Sequence, residues 1–486
     1  MIHCNILLLG QTGVGKSALL NYLAGEELAD SGVSSTCGGI TRGINKYQIV
    51  LNGQICSISD SEGLELKYEK EWKRLVDKEL FPKSKPKSIA SWYHIVLFCI
   101  GANSARVQDF ELELIDKIIE NKYGVIIALT KSDLASEEEL DHLQESITNH
   151  FGDNSQLIII PVCSKQRRCN TLEGKEEIAS AIINSWEQTL IGKLPEFIFS
   201  PVFESLNSWT NHTREWLYSQ RIGILHNTKT EVLNKLNEKI TKKINEINSN
   251  LISRQKRSLN EVSQVNQAIG QVLDFKTLKS MNSSIAPRID TLESSLVFGE
   301  KTGAKIALGM GLTAISVFFP IVGIAASFGL TVKSLFQKSP VEEIDESFVN
   351  QYYRLTRLYS EREDMMGYVI ADAFGYYYGR REIAIGYLKG RGMEQSDKRF
   401  EATIREVEQM IEEYNIEDGR GEYYVSYYYY SKRTKEGDDI GKRWLKKSVS
   451  HGYEDAMAVF KFGDVFSLMK TVEIDEETEL ENYWRS

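Results

Sequence analysis

Near the start of the chain, Gly10-Gln11-Thr12-Gly13-Val14-Gly15-Lys16-Ser17 has the residue types and spacing needed to hold a chain of phosphates. The pattern GxxxxGK[ST] works through backbone geometry. Its glycines admit turns in which consecutive N–H groups face the phosphate oxygens without Cβ clashes. A helix that starts at the loop's end adds the positive pole of its dipole. Lys16 brings a point charge to the outer phosphates, and Ser17 offers a hydroxyl to Mg²⁺. The surroundings fit this chemistry, with an apolar strand, Ile6-Leu7-Leu8-Leu9, before the loop and a helical pattern, Ala18-Leu19-Leu20-Asn21-Tyr22-Leu23, after it.

Three further short motifs close apolar runs in a fixed order: Asp60-Ser61-Glu62-Gly63, Thr130-Lys131-Ser132-Asp133 and Cys163-Ser164-Lys165. In this order they resemble the DxxG, [NT]KxD and Ser-Ala-Lys elements of the translation-factor class of P-loop GTPases. The resemblance implies GTP/GDP as ligand. Asp60 would hold Mg²⁺ through water, and the Gly63 N–H would sense the γ-phosphate. Asp133 would accept from guanine N1–H and N2–H, two donors that adenine lacks. Lys131 would lie along the base, and the Ser164–Lys165 loop would read guanine O6 mainly through backbone N–H, so Cys163 is a mild departure. Gly38-Gly39-Ile40-Thr41-Arg42-Gly43-Ile44 resembles the Thr-Thr-Arg stretch of Era-like members, which makes Thr41 the threonine that caps Mg²⁺, with Thr36 as the alternative.

Two departures bear on catalysis. Leu64 follows the DxxG element where Ras-like proteins carry a water-orienting glutamine, and Gly13 stands where potassium-activated members carry asparagine. Hydrolysis is therefore expected to be slow in a monomer. Help would come from backbone groups, from Arg42 in cis or in trans, or from a homodimer formed across the nucleotide. Arg42 also reads as an ordinary surface charge beside the switch.

The elements that must position these residues follow from patterning. Apolar runs near 5–9, 47–51, 55–59, 94–100, 124–130 and 157–162 alternate with amphipathic segments such as Phe110–Ile119, which predicts a mostly parallel sheet with helices on both faces over residues 1–192. Beyond Pro195 strand-like runs largely vanish and an all-α half is expected. In the region 193–300, Leu233, Leu236, Ile240, Ile244, Ile247 and Leu251, then Leu259, Val262, Ile269 and Val272, form an apolar stripe at helical spacing. That stripe suits a helix packed in a bundle or an extended stalk.

Residues 306–332, within an expected hairpin region 301–340, carry no charge and are flanked by Lys301, Lys305, Lys333 and Lys338. Pro320 predicts two short helices meeting there, since proline removes a donor and clashes with the preceding turn. Three readings stand: one membrane span, a hairpin dipping into one leaflet, or a buried hairpin. Lysines at both ends oppose a span. The order of GTPase, long helices and apolar hairpin resembles bacterial dynamin-like proteins. The region 341–465 is helical and tyrosine-rich. In it Ile383–Gly392 with Asp397 and Lys398, and Lys442–Ser448 with Gly452 and Ala456, resemble two degenerate Sel-like tetratricopeptide-type repeats; a non-repeat bundle is the alternative. An acidic tail, 466–486, closes the chain.

Composition narrows the classes. The 486 residues carry a net charge of -10, against the basic excess usual for nucleic-acid binders, so none is expected as partner. Six cysteines, all within the first 170 residues, form neither CxxC pairs nor Cys/His clusters, so neither a zinc site nor a disulfide framework is indicated, which suits a reducing cytosol. The chain enters a strand at once at Ile2–Leu9, leaving no signal peptide. The expected location is cytoplasmic, peripheral at a membrane in the hairpin-insertion reading. The expected function is a GTPase whose nucleotide state controls a helical half, either as a dynamin-like mechanoenzyme or as a soluble switch recruiting a protein partner. A toxin- or defence-type effector is a more distant reading.

Overall fold

The structure is a computed structural model that describes residues 3–29, 44–61, 69–82, 88–104, 106–152, 157–165, 172–220, 229–270 and 339–462. Thr36, Thr41, Arg42, Glu62, Gly63, Leu64, the 306–332 stretch and the acidic tail lie outside the described residues. The chain divides into two compact units. The first is Met1–Phe197 with Arg254–Asp274, the second Ile198–Ser253 with Phe275–Ser486.

In the first unit each of the six apolar runs forms a strand: β1 (Cys4–Gly10), β2 (Ile44–Leu51), β3 (Gln54–Ser61), β4 (Ile95–Gly101), β5 (Gly124–Thr130) and β6 (Leu157–Val162). They form one sheet in the order β2-β3-β1-β4-β5-β6. Only the β2–β3 pair is antiparallel. Among the described residues, helices α1 (Lys16–Ala24), α2 (Glu69–Leu80), α3 (Asp109–Glu120), α4 (Glu137–Phe151) and α5 (Lys175–Ser219) accompany it.

The central strands are apolar without alternation because both faces are covered. Leu7, Leu9, Phe98, Ile127 and Leu129 share one core with Val76 and Leu80 of α2, Leu114 and Ile118 of α3 and Leu143 and Ile147 of α4. The alternate residues Ile6, Leu8, Leu97 and Ile126 are equally buried. On that side α5 lies so close to β5 that a Cβ on Gly124 would sit 2.2 Å from the Ser185 carbonyl oxygen, and Thr189 Oγ1 accepts the Gly124 N–H at 2.7 Å. Only glycine allows this approach.

The change of character after Pro195 is not a break in structure, for α5 runs through both Pro195 and Pro201. Proline at 201 leaves the carbonyl four residues earlier without its helical donor. That carbonyl, Phe197, accepts from Arg254 Nε at 2.8 Å, and the guanidinium lies over the Phe197 ring. Arg254 belongs to α6 (Lys229–Ala268), the helix predicted from the apolar stripe. Glu261 of α6 caps the turn Ile89–Ser91 before β4, accepting from Ile89 N at 2.6 Å and Ser88 Oγ at 2.9 Å.

In the second unit the stripe residues Leu236, Ile240, Ile244, Ile247 and Leu251 are buried. The next described helix is α7 (Pro340–Ala373). Asp345 of α7 takes two bonds from Arg214 of α5 at 2.8 Å each and one from Tyr218 Oη at 2.9 Å. Tyr359 Oη donates to Asn248 at 2.8 Å. Among the described residues five shorter helices follow: α8 (Tyr377–Lys389), α9 (Asp397–Tyr414), α10 (Gly419–Ser431), α11 (Lys435–Ser450) and α12 (Glu454–Phe462). Their core joins Ile404, Val407 and Ile411 of α9 to Tyr423, Tyr424, Tyr428 and Tyr430 of α10 and Trp444 of α11. Among the described residues no helix is long and apolar enough to cross a membrane.

Candidate functional site

The phosphate-loop residues sit between β1 and α1. Gly10 ends β1 with φ +139°, and a Cβ there would stand 2.4 Å from the Cys99 carbonyl oxygen of β4. Gly15 caps α1 in a left-handed conformation, φ +111°, aiming the helix's first N–H groups into the loop. Lys16 is 7% exposed, and its ammonium donates back to the Gly10 and Gln11 carbonyls at 3.0 Å each. Burial lowers its pKa, opposed by Cys99 and Asp60. A polyanion in the loop would restore the charge on Lys16 and give its donors better acceptors than peptide oxygens.

Asp60 stands near the end of β3, in register with Leu8 of β1. Its carboxylate takes a hydrogen bond from Ser17 and faces Lys16, yet burial still raises its pKa. Its Oδ1 is buried with no hydrogen-bond partner. An orphaned carboxylate oxygen beside a serine hydroxyl fits a hard divalent cation, which prefers oxygen donors. Among the described residues no group of three or more His, Cys, Asp or Glu is placed to hold a metal alone. Mg²⁺ at nucleotide sites does not need one, because it takes most of its ligands from phosphate and water.

On the far side of the loop, Thr130 closes β5. Its hydroxyl donates to the Val14 carbonyl at 2.5 Å, and Lys131, in a left-handed conformation, donates from Nζ to the Gly13 carbonyl at 2.6 Å. Asp133 follows in a short 3₁₀ turn, Ser132–Leu134, and its Oδ2 is a second buried acceptor with no partner. Cys163, after β6, pairs with Glu173 through two backbone hydrogen bonds, which pins the start of the Ser164–Lys165 loop. Ser164 is half-buried and Lys165 exposed.

One loop contact was not foreseen. Glu111 in the first turn of α3 is 2% exposed, bonds the Gln11 side chain and accepts from Gln108 N at 3.2 Å. Burial raises its pKa. The signal available in sequence was the Gln108-x-x-Glu111 spacing of a capping box.

Residues 5–131 match the family model described as 50S ribosome-binding GTPase. The first unit is a P-loop GTPase domain. Relatives with matching sequence include the mitochondrial tRNA modification GTPase MSS1 of Saccharomyces cerevisiae, 27% identical over 186 residues, covering 37% of this chain and 32% of that protein. GTPase Der of Rippkaea orientalis is 28% identical over 192 residues, covering 37% of this chain and 40% of its own length. The tRNA modification GTPase MnmE of Mycoplasma genitalium is 26% identical over 191 residues, covering 39% and 38%. The chain thus spans about a third to two fifths of the length of these relatives.

Proposed function

We infer that the chain binds guanine nucleotide with Mg²⁺, hydrolyses GTP to GDP and phosphate, and uses its nucleotide state to control the helical half. What supports this reading best is the pair of orphaned oxygens, Asp60 Oδ1 and Asp133 Oδ2. A buried acceptor without a donor is costly. These two flank the phosphate loop in sequence roles that call for a metal ion and for the guanine edge.

In this reading Gly10 to Ser17 cradle the phosphates and Lys16 meets the outer ones. Ser17, Asp60 and Thr41 hold Mg²⁺, which when bound neutralises phosphate charge. Gly63 senses the γ-phosphate. Thr130 and Lys131 brace the loop from behind, Lys131 and Asp133 hold the base, and Ser164 and Lys165 close over it. The Thr41 and Asp60–Leu64 segments order around GTP and release after hydrolysis. Leu64 cannot orient water by hydrogen bonding, so Arg42 or a second copy supplies the missing help. Turnover per molecule should then rise with protein concentration. A concentration-independent rate near that of fully activated GTPases would count against the dimer.

For the helical half, a dynamin-like role would act through residues 306–332 at a membrane. A partner-recruiting role would act through 377–462, where two successive helix pairs, α8/α9 and α10/α11, support the Sel-like repeat reading. Left-handed glycines 390 and 392 follow the first helix and Gly452 the fourth. The cavity described below favours the recruiting role. Flotation of the full chain with liposomes, in GDP and in a non-hydrolysable GTP analogue, separates the two. Nucleotide-dependent flotation would favour the membrane role.

A further inference from the structure

A cavity of about 620 Å³ opens in the second unit between the α7–α8 junction and the last turns of α9. Asp372, Tyr376, Arg380, Glu406, Glu413 and Tyr414 are among its lining residues. The volume lies in the range of ligand-binding clefts, about 300–1,000 Å³. Three carboxylates face one guanidinium, so the lining is formally negative.

The buried carboxylates of this unit differ in how they are met. Asp345 has Arg214 and Tyr218, Glu382 has Arg381 and Arg420, and Glu422 has two cations, His451 and, at 3.6 Å, Lys447, although its Oε1 has no hydrogen-bond partner. Asp372 has Arg380 alone, through Oδ1 at 2.5 Å, and Arg380 also pairs with Glu406. The Asp372 side chain is 4% exposed, and its Oδ2 is buried with no hydrogen-bond partner. Burial raises its pKa despite Arg380, so one cation undercompensates this carboxylate. Such a group is stable when a second donor reaches it.

We propose that this cavity binds an arginine or lysine side chain of a partner polypeptide. The cation completes Asp372 and pairs with Glu413, while its aliphatic stem lies along Tyr414, which is 64% exposed, and Met410. A long stem with a charged tip suits a site with apolar walls and an acidic end. Tyrosine faces add cation–π attraction. The proposal gives a chemistry to the partner-recruiting role proposed above. It does not depend on the nucleotide assignment, and the test needs no nucleotide.

The test is titration of the full chain by calorimetry with acetyl-Gly-Arg-Gly-amide, with the citrulline peptide, which has the same shape and no charge, and with agmatine. The arginine peptide should bind and the citrulline peptide should bind at least about 10-fold more weakly, the loss of a charge-assisted bond. Asp372→Asn and Glu413→Gln should each weaken the arginine peptide by about 10-fold, whereas Glu412→Gln, exposed on the same helix but outside the cavity, should not. Glu413 is exposed, so its variant reports even where Asp372→Asn fails to fold. No binding, equal binding of the citrulline peptide, or equal loss in Glu412→Gln overturns the proposal. Agmatine binding at least as tightly as the peptide assigns the site to a small free amine and overturns the polypeptide reading.

Discussion

In the first unit two buried acceptors that lack partners, Asp60 Oδ1 and Asp133 Oδ2, lie at or just past the ends of strands, beside a loop held open by glycines. In the second, buried carboxylates lie along helices, and each is paired with arginine, lysine or histidine, although Asp372 Oδ2 and Glu422 Oε1 keep no hydrogen-bond partner. The strand-end groups are held by a sheet whose register fixes them to backbone precision, as Leu8 is fixed against Asp60 and Gly101 against Thr130. The helical groups are held by side-chain pairs. A strand-end site therefore has little room to adjust and must be completed by a ligand, whereas helical ion pairs complete one another. Asp372, with a single cation and an orphaned Oδ2 beside a cavity, comes nearest to the first class inside the second unit, where Glu422 Oε1 also lacks a hydrogen-bond partner.

The comparison can be broken at backbone level first. Gly10→Ala puts a Cβ 2.4 Å from the Cys99 carbonyl in a conformation that L side chains rarely adopt. It should cost about 4 kcal/mol or more and unfold the first unit, read as loss of its cooperative denaturant transition. A transition near that of the wild type would mean that the β1–β4 spacing is soft.

A pH test comes next. His94 Nδ1 accepts from Asn5 N at 3.0 Å, so its other nitrogen carries the proton and donates to the Ile89 carbonyl at 2.9 Å. Burial pushes its pKa down to about 4 from 6.5. The unfolded chain takes up the proton first as pH falls. Stability from this group is therefore full above pH 6.5 and is lost between 6.5 and 4, by about 3 kcal/mol. Denaturant midpoints across that range should show the fall, and His94→Gln, which carries an amide acceptor and donor but no titratable ring, should flatten it. An equal slope in the variant would remove His94 from the account.

Lys16→Ala should weaken guanine-nucleotide binding by about 100-fold while leaving the second unit's melting unchanged, checked by fluorescent-nucleotide titration and calorimetry. The smallest effect is expected from Gly375→Ala. That glycine is also left-handed, φ +84°, but an added Cβ would meet nothing within 4 Å, so only the backbone term remains, about 1 kcal/mol. A cost as large as that at Gly10 would erase the contrast between the units.

How much was legible in sequence follows the same division. All six strands and the contiguous motifs at Gly10–Ser17, Asp60 and Thr130–Asp133 could be read because their residues are neighbours in the chain. Glu111 against Gln11 and Arg254 under Pro201 could not, because each joins distant segments through one side chain, and the capping-box spacing at Gln108–Glu111 points only to the local helix start. Pro195 marked a change in pattern close to where the two units divide, but not a helix end, since α5 runs on through Pro195 and Pro201, and at Pro201 the Arg254 side chain takes over the freed carbonyl. Asp372 and Glu413 lie on different helices, and nothing in their spacing predicts a shared cavity.

The central claim is that Asp133 and the phosphate loop select guanine nucleotides. Equilibrium competition between GTP and ATP for the full chain, with Mg²⁺ present, tests it most directly. The account predicts that GTP binds at least about 100-fold more tightly, because adenine leaves the Asp133 carboxylate without donors. It also predicts that Asp133→Asn moves the preference to xanthosine triphosphate, whose 2-oxo group accepts from the new amide. Equal affinity for GTP and ATP in the unaltered protein would contradict it.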